Sequence, residues 1–525
     1  MTRRPAAARR LAAFAAAAVV TLAGCSPTTS TKEQVAIHPH ASQTAATDPS
    51  SASAARPVKP PKGFEPYYQQ RVTWQHCDMT FECATVTAPT DWSDPSSAPI
   101  KLALERHAAT GNRIGSLLVN PGGPGASGTD FVGYAPYLFG KDVLAAYDVV
   151  GFDPRGVGRS SAVTCLSDAD WDRFTAASFP STTPAGRDAV EAAYESLGAA
   201  CASGTGDLLD HVDTVSAARD LDMVRAVLGE DKLDYLGFSY GTQLGSTYAA
   251  LFPGHVGRMV LDGAIDPTLT PEQEVTGQAA GFEQAARSYV ADCQGGSDCP
   301  LSGSVDDGVA QIGRLLDGLL ARPMPTGDVS RPLTQSLGLF GIIYPLYAQS
   351  LWPTLTSALD DAINRGDGSG LLANADSYNS RDSDGTYADN SGVAFIAISC
   401  QDSRESSDPA DMAAQAAELD KVAPTFGRFL AYGGLTCEHW PAPVVPLEAD
   451  VAAPGAPPIV VVGTTGDPAT PYSWAQGLAT VLDSGVLVTY DGEGHTAYGS
   501  SNDCVLDAVD DYLVDGVVPA DGTLC

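Results

Sequence analysis

An α/β fold on a mostly parallel sheet, interrupted by a largely helical insertion, is expected from three features of the 525-residue chain. Short, continuously apolar runs rich in Val, Ile and Leu recur, each ending near Gly or Asp. Helical patterns lie between several of them. The alternation stops over 268–456 and then resumes.

The apolar runs are 114–120 (IGSLLVN), 147–152 (YDVVGF), 233–238 (LDYLGF), 257–263 (GRMVLDG), 458–463 (PIVVVG) and 486–490 (VLVTY). A strand with one wet face alternates apolar and polar residues, so unbroken runs imply burial on both faces, as in a parallel sheet. Residues 212–229 carry apolar residues at near-3.6 spacing and close on Gly229, with Asp213 or Thr214 able to cap the N-terminus. A further helix is expected at 241–251. Within 268–456 the pattern predicts helices at 276–292 and 305–321, and a long surface loop at 365–392, rich in Gly, Ser, Asp and Asn. The division that follows is an α/β core in two parts, 63–267 and 457–525, split by a cap or lid at 268–456.

The strongest chemical signal is Gly237-Phe238-Ser239-Tyr240-Gly241, between an expected strand and an expected helix. G-x-S-x-G in that setting is a nucleophile elbow: the turn holds the serine in a strained conformation, and glycines flank it where neighbouring backbone leaves no room for a Cβ. The second is Asn120-Pro121-Gly122-Gly123-Pro124-Gly125, directly after a strand. Acyl transfer needs two backbone N–H groups for the developing oxyanion, one from the residue after the nucleophile and one from the loop after an earlier strand. Tyr240 supplies the first. Gly122 is favoured for the second and Gly123 comes next, because Pro121 and Pro124 have no N–H.

Two further signals are C-terminal. Gly466-Asp467-Pro468 follows the run at 458–463, and Gly494-His495-Thr496 follows that at 486–490. Ser239, Asp467 and His495 occur in the chain order of an α/β-hydrolase triad. His495 would take and return the Ser239 proton while Asp467 fixes its tautomer. Asp491 and Glu493 are too near His495 in the chain to reach its Nδ1 easily. Asp153-Pro154-Arg155-Gly156-Val157-Gly158 reads as structural, with Arg155 paired to Asp153.

The N-terminus reads as an address. Residues 1–10 hold four arginines and no acid, 11–23 are apolar, and Leu22-Ala23-Gly24-Cys25 resembles a bacterial lipobox. Residues 1–24 would be a lipoprotein signal peptide and Cys25 the lipidated residue. Ordinary cleavage near Ala23 or Gly24 would instead leave Cys25 as a spare thiol. Residues 25–62, dominated by Ser, Thr, Ala and Pro, read as a flexible tether. The other ten cysteines suggest disulfides in an exported chain. Pairing sequence neighbours gives Cys77–Cys83, Cys165–Cys201, Cys293–Cys299, Cys400–Cys437 and Cys504–Cys525, though spacing cannot choose among the alternatives. No CxxC or HxxxH pair suggests a metal site. A formal net charge of −33 argues against nucleic-acid partners and against membrane binding through a basic patch, leaving a lipid at Cys25 as the membrane contact.

The set VNPGGPG (119–125), DPRGVG (153–158), GFSYGTQLG (237–245), LDGAIDP (261–267), AISCQD (397–402), GTTGDPATP (463–471) and GEGHT (492–496) resembles the actinobacterial tripeptidyl-aminopeptidase-like hydrolases. These are relatives of the prolyl aminopeptidases within the S33 serine peptidases, and include mycobacterial cell-envelope serine protease lipoproteins. The resemblance runs from about 65 to 525. One departure is Pro121, where prolyl aminopeptidases have His, which fits the tripeptidyl branch better. The resemblance implies an exported serine peptidase without a cofactor, which releases short fragments from free N-termini of peptide or protein substrates. It also implies a cap whose carboxylates grip the α-ammonium. Asp402 and Glu438 would be brought together by a Cys400–Cys437 bond, Glu272 and Glu274 lie at the start of the insertion, and Thr470 would line the site. A carboxylesterase or lipase on the same triad, a cell-envelope endoprotease and a non-catalytic envelope lipoprotein are the competing expectations.

Overall fold

The computed structural model describes residues 60–525 apart from 79 and 448–449, so the signal segment, Cys25 and most of the tether lie outside the described residues. Ten strands form one sheet: β1 Gln75–Asp78, β2 Phe81–Pro89, β3 Pro99–His107, β4 Gly115–Asn120, β5 Tyr147–Phe152, β6 Leu233–Phe238, β7 Val256–Asp262, β8 Ile459–Gly466, β9 Gly485–Glu493 and β10 Thr523–Leu524. Their spatial order is β1-β2-β3-β5-β4-β6-β7-β8-β9-β10. The pairs from β1 to β5 are antiparallel, and every pair from β5 to β10 is parallel.

The six apolar runs are the six central strands. Every residue of β4 and β5 is buried, and alternate side chains feed two cores. Leu118, Val150, Tyr235, Met259 and Val461 pack on one face, and Leu117, Val149, Leu236, Val260 and Val462 on the other. Each such side chain contributes roughly 1.5–3 kcal/mol by leaving water. The antiparallel strands β1–β3 were not expected. In β3 (PIKLALERH) buried and accessible residues alternate over the first half, so its apolar content is diluted by the wet face. Helix Thr214–Val227 is capped by Asp213, whose carboxylate accepts from the Ser216 N–H.

Between β7 and β8 the described chain forms helices but adds no strand to the sheet. They include Pro271–Gly295, Val305–Ala321, Gln335–Leu346, Trp352–Asp360, Ser369–Tyr378, Ser391–Asp402 and Pro409–Val422. Tyr289, Ile312, Leu316, Leu355, Leu359 and Leu371 belong to a separate buried cluster there. The expected loop at 365–392 is corrected by helix Ser369–Tyr378, which buries Leu371, Leu372 and Ala375. The polar residues around that short apolar face hid it. Among the described residues, no helix is long and apolar enough to cross a membrane.

The five disulfides join sequence neighbours: Cys77–Cys83, Cys165–Cys201, Cys293–Cys299, Cys400–Cys437 and Cys504–Cys525. Arg155 does not pair with Asp153. Its guanidinium is fully buried and grips Asp220 with two hydrogen bonds, Nε to Oδ2 at 2.7 Å and Nη2 to Oδ1 at 2.8 Å. Its remaining N–H groups donate to the carbonyls of Pro89, Thr90 and His211. Asp153 turns the other way and accepts from Ser127, Thr129 and the Arg159 N–H. Sequence proximity misled here, because a five-donor fork needs a planar carboxylate and convergent carbonyls, which distant segments supply. Asp220→Ala should strand the buried guanidinium and cost about 3–5 kcal/mol, read as a lowered urea midpoint.

Candidate active site

Ser239 joins β6 to helix Tyr240–Leu251 at φ 55° and ψ −124°, a positive-φ conformation unfavourable for a residue with a Cβ. Its N–H donates to the Asp262 carbonyl at 2.9 Å, which anchors the turn to β7. The flanking glycines are sterically required. A Cβ on Gly237 would lie 2.3 Å from the Gly241 carbonyl oxygen, and one on Gly241 would lie 2.7 Å from that of Asn120.

The loop after β4 meets the elbow at Gly122. With φ +97°, a Cβ there would lie 2.5 Å from the Phe238 carbonyl oxygen and 3.1 Å from the Tyr240 nitrogen. The Gly122 N–H is committed to Asn120 Oδ1 at 2.9 Å, so the preference for Gly122 as an oxyanion donor is corrected. The Gly123 N–H meets no protein acceptor among the described residues. As the first helical residue, Tyr240 has an N–H with no intrahelical carbonyl to bond. Neither N–H has a protein acceptor among the described residues. The Tyr240 hydroxyl is buried and lies 2.5 Å from Thr214 Oγ1.

His495 and Asp467 form a pair. His495 Nδ1 lies 2.9 Å from both Asp467 carboxylate oxygens, so it carries the proton and leaves Nε2 as the acceptor. Asp467 is buried and also accepts from the N–H groups of Ala469, Thr470 and Thr496. Thr470 Oγ1 bonds Asp467 Oδ2 at 3.1 Å and lies 3.3 Å from His495 Nδ1, so Thr470 belongs to the pair itself. Burial lowers the affinity of the imidazole for a proton. The charge and hydrogen bond of Asp467, with Asp262 adding to them, outweigh that effect and hold its pKa above the usual value. Asp491 faces Thr465.

The insertion touches each of these loops. The Tyr347 carbonyl accepts the His495 N–H at 2.8 Å, and its ring lies edge-on to the imidazole at 5.4 Å. Gln278 donates to the Ala469 carbonyl at 3.1 Å. Helix Ser391–Asp402 packs against Gly125, where a Cβ would be 2.8 Å from the Ser391 carbonyl oxygen. Asn390 accepts from the Gly158 N–H and donates to the Gly156 and Val163 carbonyls. Tyr347 carries no sequence signal, because only the fold lays its helix end over the imidazole.

The expected ammonium-binding acids separate. Asp402 is buried, accepts from the Thr214 N–H and hydroxyl, and is pushed up to about 8 chiefly by burial. Glu438 is exposed and sits with Glu191 and His439, their ligand-type atoms within 4.8 Å of one another. The Cys400–Cys437 bond therefore does not bring Asp402 and Glu438 to one place. Glu272 accepts from the Ser406 N–H at 3.0 Å. Glu274 is half-buried and pushed up to about 7, by burial first and Asp266 second, and its carboxyl has no hydrogen-bond partner among the described residues.

Residues 423–525 match the family described as TAP-like protein. Serine protease Hip1 of Mycobacterium tuberculosis is 40% identical over 483 residues, 88% of this chain and 92% of that protein. A protein named carboxylesterase B from the same species is 40% identical over 456 residues, 85% of this chain and 86% of that protein. Tripeptidyl aminopeptidase of Streptomyces coelicolor is 31% identical over 469 residues, 86% of each chain.

Gly122→Ala should drive a Cβ into the elbow and lower kcat/KM on the order of 100-fold or more per folded molecule. The check is steady-state kinetics beside circular dichroism.

Proposed function

Because this chain belongs to the α/β-hydrolase family of serine peptidases that includes Hip1 and the tripeptidyl aminopeptidases, we propose that it releases tripeptidyl-type fragments from free peptide N-termini through an acyl-enzyme on Ser239. The observation that carries this reading is the Asp467–His495 pair held at the sheet end where Ser239 occupies its positive-φ turn. Ser239 Oγ attacks the scissile carbonyl as its proton passes to His495 Nε2, and Asp467 stabilises the imidazolium. The Tyr240 and Gly123 N–H groups receive the oxyanion. Collapse breaks the C–N bond and His495 returns the proton to the leaving amine. Water repeats the cycle at the acyl-enzyme and frees Ser239. The reading calls on no metal or organic cofactor.

Residues 268–456 serve in this reading as the cap that measures the substrate from its N-terminus. Glu274 suits the ammonium best among the acids considered. Its carboxyl is desolvated and without a hydrogen-bond partner among the described residues, and Asp402 lies near enough to feel its charge. An arriving cation would offset the burial that raises both. Five disulfides support folding outside the reducing cytoplasm, and the N-terminal leader supports export with Cys25 as a lipid anchor.

The relative named carboxylesterase B favours a second reading, an esterase on the same triad. A free tripeptidyl amide, its N-acetylated form and a short aryl ester separate the possibilities. The free amide should be hydrolysed, with acetylation lowering kcat/KM on the order of 100-fold. Equal cleavage of the acetylated amide would mark an endopeptidase, and turnover of the ester alone would overturn peptidase action.

The pH profile is fixed in sign. Only neutral imidazole accepts the Ser239 proton, and the pKa of His495 is held above its usual value. The acid limb of kcat/KM should therefore fall above about pH 6.5. Asp467→Asn should move it to lower pH and reduce kcat by roughly 10⁴-fold.

A further inference from the structure

Asp262 closes β7, between the strand that carries Ser239 and the strand that carries Asp467. It is in register with Phe238 on β6 and with Val462 on β8. Its side chain is fully buried, and no cation pairs with it among the described residues. A buried carboxylate in the middle of an apolar sheet is costly unless donors surround it. Here the donors all come from one place: Ala497 N–H at 3.0 and 3.1 Å to the two oxygens, and Tyr498 N–H at 2.7 Å to Oδ2. Both residues belong to the loop that begins with His495. The Asp262 carbonyl is the acceptor for the Ser239 N–H. One residue thus holds the nucleophile through its main chain and the base's loop through its side chain.

The next residue continues the arrangement. Gly263, at φ +65°, passes so close to the pair that a Cβ would lie 2.8 Å from Thr496 Cγ2 and 3.3 Å from His495 Cε1.

We propose that Asp262 is a positioning residue of the reaction, which sets the placement of His495 relative to Ser239 by gripping both segments at once. This rests on the triad reading given above. Four groups face the imidazole: Asp467 by direct hydrogen bond, the Thr470 hydroxyl beside it, the Tyr347 ring from the insertion, and Asp262 behind the loop. Asp262 is itself pushed up to about 6 by burial, against its amide hydrogen bonds. The three N–H contacts from Ala497 and Tyr498 are ones a carboxylate accepts, and its charge adds to that of Asp467 in favouring imidazolium.

Asparagine at this position keeps the shape, removes the charge, and can turn an N–H₂ toward N–H donors. The test compares wild type, Asp262→Asn, Asp262→Ala and Ser239→Ala in the full chain, with rates expressed per folded molecule counted by circular dichroism and size-exclusion chromatography. For Asp262→Asn, kcat should fall on the order of 100-fold with KM changed much less. The acid limb of kcat/KM should move to lower pH, because the charge that raises the pKa of His495 has gone. A purely structural role would reduce the number of folded sites and leave both the limb and kcat per site in place. That result, in either Asp262 variant, would overturn the proposal. Activity surviving in Ser239→Ala would overturn the triad reading instead, and is read from that variant alone.

Discussion

The site depends on a close approach between two backbones. The β6 turn and the loop after β4 come so near that no side chain fits between them at Gly122 or Gly241, and within the turn itself Gly237 abuts the Gly241 carbonyl. That contact accompanies the positive φ of Ser239, and it brings the Gly122 backbone up against the Tyr240 nitrogen. A strained serine persists only where its surroundings over-determine it. Here the constraint is threefold: the glycines on both sides, the hydrogen bond from Ser239 to β7, and a strand beneath that is buried at every residue but Asp234.

The same logic extends outward. The imidazole is bonded through Nδ1 to Asp467 and through its main chain to Tyr347, and its ring lies beside Gly263. Asp467 is saturated by amides of its own loop and by Thr470. The helical insertion then rests on these loops through Tyr347, Gln278 and Asn390. The helical segment is therefore hydrogen-bonded to the loops that carry His495 and Asp467. A shift in Gln335–Leu346 would be felt at the His495 main chain.

The central sheet and the triad candidates were legible because each depends on local signals. Unbroken apolar runs mark strands buried on both faces, and the elbow needs glycines at fixed offsets. The cysteines pair with their sequence neighbours, the simplest of the arrangements that spacing alone left open. What was not legible came from relations between distant segments. Arg155 passes over its neighbour Asp153 for Asp220, because its fork needs a carboxylate and three carbonyls arranged together. The Gly122 N–H, the expected donor, is held by Asn120 Oδ1, a contact that the residue order alone does not reveal. Asp402 and Glu438 flank a real disulfide yet face different surroundings, since a bond between two sulfurs does not fix where adjacent side chains point. The N-terminal strands and helix Ser369–Tyr378 escaped because their apolar faces are diluted by wet ones.

The split of the core around the insertion has a consequence in time. A ribosome delivers Ser239 together with most of the sheet, then the whole insertion, and only afterwards β8, β9 and the loop bearing His495. The strand that supports Asp467 must then pair with β7, across a sequence gap running from 262 to 459. Such long-range pairing forms late. On the reading proposed above, Ser239 stands without Asp467 and His495 until the last segment has been made and docked. A chain cut short inside the insertion contains Ser239 and neither Asp467 nor His495.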